Sequence, residues 1–148
     1  MRLVIGSDHA GWSLKGEVLA HLKALGHAVV DVGSFDEKPV DFPDIARKVA
    51  SAITKGEAER GMMVCGTGVG ASIAANKMKG IRAAVCHDVH SAHQSVEHDD
   101  VNIMCIGAQI VGPWLAKDLI SAFLEARFST DEDFRRRVAK LHQMEEEG

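Results

Sequence analysis

Short apolar runs alternate with stretches of helical period along the whole sequence, and this alternation narrows the possible folds more than any other feature. The strand-like runs are Arg2 to Gly6, Ala28 to Val32, Gly61 to Cys65, Arg82 to Cys86 and Val101 to Ile106. Short buried strands separated by helices imply βαβ units, because parallel neighbours need a long crossover between them. The expected fold class is therefore α/β: a three-layer α/β/α sandwich around a five-stranded parallel sheet. A chain of 148 residues suffices for one such sandwich and leaves no room for a separate cofactor domain, so residues 1–148 read as a single domain.

The helical stretches carry the stripes that would cover the sheet. Leu14, Val18, Leu22 and Leu25 form one, and Ile45, Val49 and Ile53 form another that follows Asp41 and Pro43. A third helix opens at Gly112-Pro113 and carries Leu115, Leu119 and Phe123. The segment from Gly33 to Phe42 has no period and reads as a long loop. A final helix from about Asp133 to Met144 has only a narrow seam of Phe134, Val138 and Leu141, flanked by Arg135, Arg136 and Arg137. At ~100° per residue Arg136 points away from that seam, whereas Arg137 borders it and is the best placed of the three to reach a ligand.

Composition excludes several classes of partner. The formal charge of −4 argues against nucleic acid and anionic lipid. No stretch approaches the ~20 apolar residues of a membrane span, and the N-terminus reads as a strand rather than a signal peptide, so the expected location is the cytoplasm. The odd set Cys65, Cys86 and Cys105 lies in strand-like runs without Cys-x-x-Cys spacing, which fits reduced thiols. The partner expected is a small molecule.

In open parallel sheets, ligands gather outside the carboxyl ends of the strands. Three such ends are chemically loaded: Gly6-Ser7-Asp8-His9-Ala10-Gly11, Cys65-Gly66-Thr67-Gly68-Val69-Gly70-Ala71, and Cys86-His87-Asp88. In the second, Gly66, Gly68 and Gly70 let backbone N–H groups approach a ligand just before a helix expected over Ser72 to Lys79, which makes an anion site. An enediolate is the kind of anion such a loop stabilises. A thiol at its edge would feel the helix N-terminus, which lowers a cysteine pKa toward neutrality and makes Cys65 a candidate base.

Plainer readings exist for each feature. A strand cysteine is most often an inert core residue. Gly66-x-Gly68-x-x-Ala71 satisfies a loose dinucleotide fingerprint, but it follows the third strand instead of the first. Asp8 and His9 read equally as a helix cap and a surface histidine. The run His87, His90, His93 and His98 with Asp88, Glu97, Asp99 and Asp100 is either a metal cluster or a solvated helix face, and the face is favoured.

Four segments together resemble one family, the type B ribose-5-phosphate isomerases with the galactose-6-phosphate and allose-6-phosphate isomerases. They are Gly6 to Gly11, Cys65 to Gly70, Ile73-Ala74-Ala75-Asn76-Lys77 and Gly80-Ile81-Arg82-Ala83. The resemblance implies a Rossmann-like sandwich without metal or nucleotide cofactor, acting on a sugar phosphate as a homodimer or dimer of dimers with shared active sites. It implies that Cys65 moves the proton, that Thr67 assists, and that the N–H groups of Gly66, Gly68, Val69 and Gly70 hold the enediolate. His98, from the neighbouring subunit, and Asp8 would open the sugar ring, while His9, Arg137 and Arg136 would hold the phosphate. Other members carry a glutamate just after the glycine loop; Ala71 stands there, placing this chain in the cysteine-based branch.

The chain also departs from that family. Asp99 stands in the substrate site where asparagine is common, and Gln109 and Asp133 stand near positions where arginine is common. A different or an unphosphorylated sugar is therefore an alternative substrate. A non-catalytic phospho-sugar or nucleotide sensor, and a metal-dependent enzyme built on the histidine run, are the alternatives in function.

Overall fold

The computed structural model describes all 148 residues. The elements follow in the order β1 (Arg2–Ser7), α1 (Trp12–Ala24), β2 (Ala28–Asp31), α2 (Phe42–Thr54), β3 (Arg60–Cys65), α3 (Val69–Ala75), β4 (Ala83–Val85), α4 (Val89–Asp99), β5 (Ile103–Gly107), α5 (Pro113–Glu125) and α6 (Glu132–Glu147). The five strands form one all-parallel sheet in the order β2-β1-β3-β5-β4. The expected sandwich is therefore present.

Alternation along each central strand divides the core into two layers, because successive side chains point to opposite faces. Leu3, Ile5, Met62, Val64, Met104 and Ile106 join α1, α4 and α5 on one face, whereas Val4, Met63, Cys65, Ile103 and Cys105 join α2 and α3 on the other. Gly6 and Gly61 let α2 lie close to the sheet, since a Cβ on either would come within 2.7 to 2.9 Å of Val49 methyls. Helix α6 stands outside both layers. It packs on α4 and buries only Val138.

Several boundaries differ from the sequence reading. Strand β4 keeps only Ala83 to Val85, and Val101 and Asn102 precede β5 instead of belonging to it. Helix α3 starts three residues earlier than expected and ends four earlier. Gly68, at a φ of +83°, turns the chain straight into the helix at Val69. At the far end the Asn76 side chain brackets Ala83, accepting from its N–H and donating to its carbonyl at 2.8 Å each, which draws the chain off toward β4. In α5 the buried stripe uses Ala116, Leu119, Ile120 and Phe123, and Leu115 is outward. Leu25 is likewise exposed, because α1 has ended before it. Helix α6 continues through Glu147, so the acidic end of the chain is helical.

Candidate active site

The carboxyl ends of β1 and β3 lie side by side, Ser7 being registered with Val64, so Asp8 and Cys65 emerge together. Asp8 is buried, and its Oδ1 accepts from the Gly11 N–H at 3.0 Å. Gly11 must approach that closely: a Cβ there would meet the Val64 carbonyl oxygen at 1.8 Å. Asp8 thus has the structural task of shaping the turn into α1, and it also contacts the Cys65 thiol. His9 is exposed, and its Nδ1 accepts from the Val40 N–H at 3.2 Å, which leaves Nε2 to carry the proton of the neutral ring and face outward.

After Cys65 the backbone N–H groups of Gly66, Thr67, Gly68, Gly70 and Ala71 find no acceptor within the chain, and Val69 N–H reaches only the Thr67 hydroxyl at 3.3 Å. The first turn of any helix leaves such donors unpaired, and here the bend before α3 adds those of Gly66 and Thr67 to them. The bend is held from below. Ala108 N–H donates to the Cys65 carbonyl at 2.8 Å and Gln109 N–H to the Gly66 carbonyl at 3.0 Å. The Phe42 ring rests on Gly70 and the Gln109 side-chain amide on Gly66. Phe42 carries no sequence signal for this contact; the pattern around it marks only the start of α2 at Pro43.

The electrostatics of Cys65 differ from expectation. Burial, and after it the Asp8 carboxylate, push the thiol from 9.0 up to about 12, although the Asp8 N–H pulls the other way. The expected depression by a helix terminus is absent because only 5% of the residue is exposed and a carboxylate lies beside it. Clefts of the single chain also lie elsewhere. One, of about 440 Å³, is lined by Trp12, Lys15 and Phe35, and another, of about 480 Å³, lies between β4 and α6.

The remaining candidates gather toward the opposite, amino end of the sheet. Helix α4 begins beside the glycine loop, where His87 Nε2 accepts from Gly107 N–H at 2.9 Å, and it runs away from the loop to His98. At ~1.5 Å per residue that is a separation of roughly 15 Å. His98 stacks on Phe134 of α6 with ring centroids 3.9 Å apart, and Glu97 stands 3.6 Å from its Nε2. Exposed Asp99 follows it. Arg137 leans over the same Phe134 ring at 5.6 Å, and Arg136 pairs with Asp133 at 2.8 Å. Arg135 is tied to the Ser129 carbonyl at 2.6 Å. One chain therefore presents two groups of candidates: Asp8, His9 and Cys65 to Gly70 at the carboxyl end of the sheet, and His98, Asp99, Arg136 and Arg137 toward its amino end.

The histidine run disperses. His87 turns to Gly107, His93 pairs with Glu97 at 2.6 Å and His98 turns to Phe134, and no three His, Cys, Asp or Glu side chains converge.

A sequence profile described as Ribose/Galactose Isomerase matches residues 3–141. The chain belongs to the ribose/galactose isomerase family. It is accordingly an isomerase of the sugar-phosphate class. Ribose-5-phosphate isomerase B of Escherichia coli (strain K12) is 44% identical over 127 residues, 86% of this chain and 85% of that protein. The D-erythrulose-4-phosphate isomerase of Pectobacterium atrosepticum is 41% identical over 131 residues, covering 86% of this chain and 85% of the relative. Among solved structures, Clostridium thermocellum ribose-5-phosphate isomerase B superposes with a TM-score of 0.96 at 45% identity, covering 99% of both chains. Ribose/galactose isomerase relatives thus share the whole fold and carry names with more than one substrate.

Proposed function

We propose that this chain interconverts ribose 5-phosphate and ribulose 5-phosphate through a cis-enediolate, with Cys65 moving the proton between C1 and C2. The observation that carries the reading is the set of free amides at Gly66, Thr67, Gly68, Gly70 and Ala71 beside the Cys65 thiol. Donors already aimed where negative charge develops need no reorganisation during the reaction, which is the largest source of stabilisation in many enzymes. Thr67 supplies a hydroxyl at the same bend. Cys65 must lose its own proton before it can take one, and in the single chain burial and the Asp8 carboxylate oppose that loss.

His98 and Asp8 open the sugar ring, with Asp99 beside His98, and His9, Arg137 and Arg136 hold the phosphate. Because one chain keeps His98 at the far end of α4, roughly 15 Å from the loop, with Arg137 on the Phe134 ring that His98 stacks against, the complete site forms between two copies: a homodimer, or a dimer of dimers. A second copy laid over the loop would also cover Val69 and Ile73, which are 52% and 58% exposed. The reading places the enzyme in the cytoplasm; no helix is long and apolar enough to cross a membrane. A four-carbon sugar phosphate is the second reading, favoured by the D-erythrulose-4-phosphate isomerase likeness.

An isomerase assay over four-, five- and six-carbon sugar phosphates and their free sugars tests the proposal. Highest kcat/KM on ribose 5-phosphate, together with loss of turnover by at least ~10³-fold in folded Cys65→Ala, is expected for a residue that performs the proton transfer. Preference for a four-carbon substrate would establish the second reading, and near-normal turnover in Cys65→Ala would remove the cysteine from the mechanism. Binding of sugar phosphates without conversion of any would indicate a sensor.

A further inference from the structure

We propose that His87 is a positioning residue for the glycine loop, acting through Gly107; this rests on the isomerase reading above. The reason begins at the sheet edge. Ile103 N–H donates to the Arg82 carbonyl at 3.3 Å and Cys86 N–H to the Cys105 carbonyl at 3.2 Å, so alternate residues of β5 turn their backbone groups toward β4. Gly107 is next in that row, but β4 has ended at Val85 and the chain has turned toward α4. Its buried N–H would be an orphan donor. The His87 imidazole takes the place of the missing strand, accepting at 2.9 Å.

Gly107 is also the residue on which the glycine loop rests. A Cβ there would come within 2.5 Å of the Gly66 carbonyl oxygen and 2.6 Å of the Thr67 Cα. Its own carbonyl accepts from the N–H groups of Ile110 and Val111, closing the turn whose Ala108 and Gln109 amides grip Cys65 and Gly66. A shift at Gly107 therefore passes directly to the amides that would hold the enediolate. Only a ring with Nε2 unprotonated can accept this bond, so Nδ1 carries the proton. Burial lowers the pKa of His87 below its ordinary 6.5, and Asp88, the charged group acting on the ring, opposes this more weakly; the net lowering favours the neutral form near pH 7.

The test compares the full-length protein with His87→Leu, which cannot accept, and His87→Gln, whose Oε1 can. Expected is a kcat lowered between about tenfold and 10²-fold in His87→Leu, as small misplacements of reacting groups cause, with KM changed by no more than a few fold. His87→Gln should recover most of the loss. Nuclear magnetic resonance supplies a readout that needs no substrate: the Gly107 amide signal should titrate with a midpoint below 6.5 in the wild type and stay flat in His87→Gln. Should His87→Leu fail to fold, that titration decides the question alone. Unchanged kcat in His87→Leu, equal losses in Leu and Gln variants, or a Gly107 signal indifferent to His87 would each overturn the proposal. Wild-type protein that isomerises nothing while Gly107 still titrates would instead refute the isomerase reading and leave the His87 contact standing.

Discussion

Cys65 illustrates how far a residue's chemistry depends on its surroundings. Its place before a glycine loop is written in the sequence, but its protonation is not, since that depends on burial and on Asp8 arriving from β1. With the thiol pushed up to about 12, the reactive thiolate is scarce at neutral pH. Alkylation of Cys65 by iodoacetamide, followed by peptide mass spectrometry, should be slow at pH 7 and rise about tenfold per pH unit through the alkaline range. Rapid labelling at neutral pH would mean that the thiol is more acidic than this environment allows. The pattern of loaded strand ends did identify Asp8, His9 and Cys65 as neighbours of one edge. It could not identify Phe42 or Gln109, because their contacts with Gly70 and Gly66 join segments that are far apart in the chain.

Among the elements, the long loop between β2 and α2 shows what the apolar pattern leaves out. Lys15 of α1 is only 2% exposed, and its ammonium pairs with Asp31 and donates to the Ser34 carbonyl beneath that loop. The loop in turn pairs with Ser7 through Gly33 and Ser34, and holds His9 through Val40. A lysine inside the Leu14, Val18, Leu22 stripe looks like a solvated residue; the structure makes it a buried anchor. Lys15→Met should cost about 1 to 3 kcal/mol, since it leaves the Ser34 carbonyl without its donor and the Asp31 carboxylate, still partly exposed and held by the Gly33 N–H, without its cation. Denaturant unfolding measures that loss, and faster amide exchange over residues 33–40 would localise it. A change below 1 kcal/mol would show that the loop is held by its backbone bonds alone.

For the whole molecule, the separation of the two residue groups is the decisive feature. If active sites are shared, two inactive variants should complement one another. Mixed after unfolding and refolded together, Cys65→Ala and His98→Ala chains should recover about a quarter of wild-type activity, because half of randomly paired dimers hold one intact site. No recovery, with both variants folded and dimeric, would place all the machinery within one chain. The mass in solution should be a multiple of 15.9 kDa.

The sequence by itself determined the α/β class, the five strands and the glycine loop at the end of β3, since these follow from local periodicity and from glycine and proline placement. Only the tertiary structure decided the strand order, the early start of α3, the raised pKa of Cys65, and the distance between His98 and the loop. Each of these depends on which segments meet in space, and apolar spacing along a chain does not encode its non-local partners. The same holds for His87, whose partner Gly107 is brought to it only when β4 stops short of β5.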